Sequence, residues 1–261
     1  MRFDQYTENI LRIAQRGLLL SLTGLMALLI YSCNLFSFSN PVNTSSDYLA
    51  EGQRKYWDGD FIGAQEDFTR AIDDNRSNGE AYWWHAKAVL RATGYTSYYL
   101  VDLIVKIDTV SSMLPFMTWS ADSTDVLYQA IFKINHDLAM IFYDSTYSAE
   151  LNATEIAFDY GMGLAIEGLL TLRDTNCDRV IDDLDINVGA HFDNGVLEMV
   201  DEQWNQLSDI QKNTLIDKVT YLLDRCTDVT FVIVGEIGGY DVSELRSIIY
   251  KIRVGLDDLR P

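Results

Sequence analysis

Between Asp174 and Asp185 the chain reads Asp-Thr-Asn-Cys-Asp-Arg-Val-Ile-Asp-Asp-Leu-Asp, the one stretch whose spacing specifies a chemistry. Asp174, Asn176 and Asp178 stand at alternate positions, and Asp182 and Asp185 follow. Carboxylate and amide oxygens at that spacing let one tight turn of backbone wrap a hard cation such as calcium, with the Val180 carbonyl joining the oxygen set. The same run also fits a solvated turn between two helices, its Asp and Asn side chains capping neighbouring backbone N–H groups.

These twelve residues resemble the calcium loop of an EF-hand. The resemblance implies that Asp174, Asn176 and Asp178 give side-chain oxygens and that Val180 gives its carbonyl. Asp182 would reach the ion directly or through a water, and Asp185 would close the loop. Two positions depart from the pattern. Arg179 stands where glycine normally takes a φ > 0 turn, which costs a non-glycine residue about 1–2 kcal/mol and adds a cation to the site. Asp185 replaces the usual glutamate and is one methylene shorter. Both changes weaken binding towards the ~10⁻⁴–10⁻³ M range of extracellular modules. No second twelve-residue pattern matches, although such loops normally work in pairs.

Other chemistry finds little support. His85, His136 and His191 are the only near-neutral bases, and they lie in different segments without His-Glu-x-x-His or Cys/His ligand spacing. Nucleophile-elbow, phosphate-loop and dinucleotide fingerprints are absent from the sequence, so no enzymatic activity is expected. A formal charge of −19 without clustered Lys or Arg argues against a nucleic-acid partner.

The elements that would position the loop begin after an N-terminal address. Arg2, Arg12 and Arg16 precede the apolar run 18–31, which is short for a membrane span and fits a signal peptide. The run ends in Ile30-Tyr31-Ser32-Cys33 and resembles a bacterial lipoprotein signal. The resemblance implies cleavage after residue 32, a lipid anchor at Cys33 and a periplasm-facing protein, with Asn34 pointing to the outer membrane. Residues 33–47 have the Ser/Asn composition of a tether. Two cysteines remain, Cys177 and Cys226. An oxidising compartment leaves a disulfide between them open, while Cys226 also lies on the apolar stripe of a helix, where a buried core cysteine would sit.

The folded region is then 48–261, expected to be all-α. Helical periods over 48–57 and 61–73, split by Asp58-Gly59-Asp60, form a hairpin. Within it Gly52, Ala64, Phe68 and Ala71 fall at the small and aromatic positions of a tetratricopeptide repeat, which the segment resembles; a partial second repeat begins at Glu80. Lys55 stands where that family has tyrosine, and Arg76 where it has proline. The resemblance over 48–110 implies a stacked helical-repeat array. The loop 111–120 carries Met113, Leu114, Phe116, Met117 and Trp119, which would either line a ligand or partner surface or fold over the core. Central helices are expected over 121–173, with Gly161, Gly163 and Gly168 admitting close neighbours, then the acidic loop, then C-terminal helices over 201–261. Asp193-Asn194-Gly195 allows a short β-hairpin near 186–200. The function expected is a scaffold or adaptor for a protein partner; the alternative is a ligand-binding accessory subunit of a solute transport system.

Overall fold

Helix α1 (Ser45–Trp57) starts where Thr44 accepts the backbone N–H of Asp47 on its hydroxyl, three residues earlier than the periodicity places it. The last residues of the expected tether are therefore helical. Ser45 is buried and ties the two ends of the hairpin together, its hydroxyl donating to the Ala71 carbonyl at 2.8 Å and accepting from Asn78 at 2.8 Å. The computed structural model describes residues 44–97, 99–100, 119–144, 153–185, 190–193, 196–199, 201–229 and 243–261. The expected signal segment 1–32, Cys33 and most of the expected tether lie outside the described residues.

Gly59 (φ 85°) turns the chain into α2 (Phe61–Asp74), whose first turn is capped by Asp60 accepting the Gly63 N–H. The two helices meet through Gly52, whose missing side chain admits the Phe68 ring; a β-carbon there would lie 2.6 Å from it. Ala64, Phe68 and Ala71 are fully buried. Lys55 reaches across to the buried carboxylate of Asp67 at 2.5 Å, and Arg70 holds the other oxygen at 2.9 Å. Asn78 then caps α3 (Gly79–Ala92) by accepting the Ala81 N–H.

Helix α4 (Ala121–Tyr143) begins at Ser120 and buries Leu127, Ile131, Ile134, Leu138 and Ile141. Phe142 is half-buried against Tyr160. Helix α5 (Ala153–Thr171) is apolar nearly all round and occupies the middle of the core, where Tyr160, Leu164, Ile166, Leu169 and Leu170 are fully buried. At Gly163 a side chain would be obstructed, because the Asn135 amide oxygen stands 2.0 Å from where its β-carbon would be. At Gly168 a β-carbon would meet Leu222 and Leu223 at an ordinary 3.6 Å.

After the acidic loop, strands β1 (Ala190–Asp193) and β2 (Val196–Met199) pair antiparallel with Ala190 opposite Met199 and Asp193 opposite Val196. A single helical turn α6 (Asp201–Trp204) follows. Helix α7 (Asp209–Val229) is capped by Ser208, whose hydroxyl accepts the Gln211 N–H while Gln211 returns its side-chain oxygen to the Ser208 N–H. Helix α8 (Ser243–Asp258) packs on α7 and β2, and α7 packs on α5. Contacts run in chain order, α1 on α2, α2 on α3, α3 on α4 and α4 on α5. The regular elements among the described residues are thus helices except for one hairpin, and none of these helices is long and apolar enough to cross a membrane.

Candidate functional site

The acidic loop leaves the end of α5 at the centre of the core rather than at its surface. Arg173, Asp174 and Thr175 are buried, and Arg173 donates to the Trp119 carbonyl at 3.0 Å and the Thr124 hydroxyl at 2.7 Å. Trp119 itself stacks on Tyr95 (centroids 5.5 Å, planes 9° apart) and packs against the core. Met113, Leu114, Phe116 and Met117 lie outside the described residues.

Asp174 is fully buried. Its Oδ2 accepts the Tyr128 hydroxyl at 3.2 Å and the Arg179 backbone N–H at 3.0 Å, whereas its Oδ1 is buried with no partner. Burial pushes this carboxyl above its ordinary range, opposed by those two donors and by Lys218. Beyond it the side chains fold onto their own backbone. The Asn176 oxygen accepts Asp178 N–H at 2.9 Å, Asp178 accepts Val180 N–H at 2.8 Å, and Asp182 accepts Leu184 N–H at 2.8 Å. Asp185 crosses back over the loop, taking the Thr175 hydroxyl and Asn176 N–H on one oxygen and Asp182 N–H on the other. Val180 is exposed.

The turn that glycine would take is taken by Arg179 at φ 73°, with Cys177 at φ 63° two residues before. What holds Arg179 is α4. Its Gln129 donates to the Arg179 carbonyl at 2.5 Å, its Phe132 ring lies 4.7 Å under the guanidinium, and Asp125 accepts the Ile181 N–H at 3.0 Å. From α7, Lys218 donates to the Cys177 carbonyl at 3.2 Å. No disulfide joins Cys177 and Cys226; Cys226 is fully buried in α7, and burial raises the half-buried Cys177 thiol. Among the described residues no three His, Cys, Asp or Glu side chains converge closely enough to hold a metal by themselves.

The histidines separate. His136 is exposed, while His85 is buried with Nδ1 2.6 Å from Asp137 Oδ2 and Nε2 3.4 Å from the Thr69 hydroxyl. That order of groups is the one acyl-transfer sites use. Here Thr69 already donates its hydroxyl to the Gln65 carbonyl at 2.8 Å, so it is engaged by its own helix. The pair therefore acts as a clamp between α3 and α4.

A cavity of about 40 Å³ opens between α3, α4 and α5, lined by Leu90, Leu100, Ile134 and Met162 together with Trp83, Lys87 and Asp159. Burial raises Asp159 to about 6, against the pull of Lys87. The Trp83 indole N–H leans towards that carboxylate but is buried without completing a hydrogen bond. Nothing in the sequence marked Asp125, Tyr128, Asp137 or Asp159, because each acquires its role from a residue on another element.

The chain matches no family model, no curated protein and no solved structure.

Proposed function

We propose that this chain is a helical scaffold or adaptor, lipid-anchored at Cys33 and facing the bacterial periplasm, that seats a protein partner on its stacked helix pairs. The observation that carries this reading is the chain-order packing of α1 to α5, the arrangement from which repeat arrays make an extended binding surface. The α1–α2 hairpin supports the tetratricopeptide likeness through the Gly52–Phe68 contact and the buried Ala64 and Ala71. At the tip of that hairpin Trp57 is 74% exposed and Ile62 67% exposed, a large apolar offering for a surface residue pair.

The loop 174–185 serves as a calcium-type staple between α5 and the C-terminal helices. Its donor set is hard oxygen throughout, and the unpartnered buried Oδ1 of Asp174 would be satisfied by a cation. Asp174, Asn176, Asp178, the Val180 carbonyl, Asp182 and Asp185 would hold it.

Photocrosslinkers placed in intact cells at Trp57, at Ile62 and, as a control, at exposed Tyr250 test the scaffold role. One partner captured at the first two positions and not at Tyr250 supports it; the same products at all three remove it. A second reading, a ligand-binding accessory subunit of a solute transport system, is favoured by the cavity between α3, α4 and α5.

A further inference from the structure

In a chain with 39 acids and 20 bases, Arg54, Arg70, Arg253 and Arg260 each hold a carboxylate, whereas Arg225 pairs with none among the described residues. Its neighbours are phenols. Nη2 donates to the Tyr143 hydroxyl at 2.7 Å and to that of Tyr160, and the guanidinium carbon lies 5.3 to 5.5 Å from the centres of the Tyr143, Tyr160 and Tyr221 rings. Such a box fixes the guanidinium without neutralising it.

The box is closed on its inner side by Tyr160, which is buried and hydrogen-bonded to Tyr143. On the outer side Tyr143 is 62% exposed and Tyr221 59% exposed. Nη1 reaches the Tyr221 hydroxyl only at 3.5 Å, the outer limit of a hydrogen bond, and Nε donates to no described residue. The acids beside Arg225 are engaged elsewhere: Asp224 pairs with Arg253 at 3.2 Å, and Glu167 accepts the Asn135 amide at 2.6 Å.

Donors of this kind suit an oxygen anion. A phosphate would bring up to about two negative charges to a chain of −19, whereas a carboxylate brings one and matches a planar guanidinium edge. A small free carboxylate gains too few contacts to offset its lost freedom. One carried on a protein also presents adjoining side chains to the exposed tyrosine rings, and Tyr and Arg are the residues that most often anchor such interfaces.

We propose that Arg225, with the Tyr221 hydroxyl as second donor, anchors an aspartate or glutamate side chain of a protein partner, whose adjoining residues pack on Tyr143 and Tyr221. The assignment rests on the scaffold reading above and names the chemistry the partner presents.

A photocrosslinker replacing exposed Asp228, on α7 three residues after Arg225, reads this surface in intact cells while leaving the box whole. The expected product is one protein, joined through a segment that mass spectrometry shows to carry Asp or Glu. Arg225→Gln lowers the yield at least about tenfold, as loss of a charge-assisted hydrogen bond requires, with thermal melts reporting that the variant is folded. Tyr221→Phe removes only an exposed hydroxyl and lowers the yield about threefold, a measurement that decides the matter even where Arg225→Gln does not fold. An unchanged yield in either folded variant, a segment free of Asp and Glu, or no protein product at Asp228 overturns the proposal. The scaffold reading is judged separately by the products at Trp57 and Ile62, so the two can fail independently.

Discussion

The carboxylate of Asp125 accepts the backbone N–H of Ile181 at 3.0 Å, across 56 residues of sequence. A helix side chain thereby supports the outer strand of the acidic loop, and Gln129 one turn on supports the adjacent carbonyl of Arg179. A loop that buries part of its backbone needs such a partner, because an N–H group held away from water is costly unless it is paired. With Ile181 itself buried to 2% exposure, α4 supplies that partner and holds the positive-φ Arg179 in place.

Millimolar calcium should raise the melting temperature of the full chain. For a dissociation constant of ~10⁻⁴–10⁻³ M, about 5 mM calcium adds roughly 1–2 kcal/mol, a shift of a few degrees in a chain of this size. Asp174→Ala with Asp178→Ala should abolish the rise in differential scanning calorimetry. An unaltered protein indifferent to calcium would remove the staple.

Gly52→Ala should destabilise the hairpin. Its new methyl would lie 2.6 Å from the Phe68 ring, and overpacking of that kind costs about 1–3 kcal/mol. Urea unfolding measures the loss, and Phe68→Leu in the same chain should return part of it by vacating the space the methyl needs.

Asp137→Ala leaves the buried Nδ1 of His85 without its acceptor. Loss of a charge-assisted bond of this burial costs about 1.5–3 kcal/mol, and Asp137→Asn, which retains an acceptor, should cost less. Equal losses from the two substitutions in urea titrations would mean that shape rather than the hydrogen bond holds α3 to α4.

Stability should fall as pH rises from about 4 to about 6 through Asp159. Its carboxyl titrates near 3.8 when unfolded and at about 6 when folded, so across that window the folded chain keeps a proton the unfolded chain has lost. Protonated at low pH, the side chain is comfortable in its buried setting; ionised above about 6, it costs on the order of 3 kcal/mol. Asp159→Asn should raise the midpoint of unfolding at neutral pH and flatten this part of the pH profile. A profile unchanged by the substitution contradicts the assignment.

Cys33→Ala should release the protein from membranes into the soluble fraction after cell lysis. Retention in the membrane pellet through a carbonate wash would show that the anchor is not the lipid on Cys33.

Much of the element order follows from neighbours within four or five residues, which is why sequence alone determined it. The break at Asp58-Gly59-Asp60 and the Asp193-Asn194-Gly195 turn signal depend on local spacing, and apart from the start of α1 the first two helices and the strand pair lie where that spacing put them. The start of α1 was misplaced because Ser45 is held by Ala71 and Asn78, partners 26 and 33 residues away. The loop's alternating oxygens were legible for the same local reason. Only the tertiary structure decided that Asp174 is buried against Tyr128, 46 residues distant, that His85 meets Asp137 across 52, and that Lys87 and Asp159 share one cavity. Those relationships arise when apolar helix faces pack and carry their polar residues with them, and no spacing along a single helix encodes which residue another helix will bring opposite.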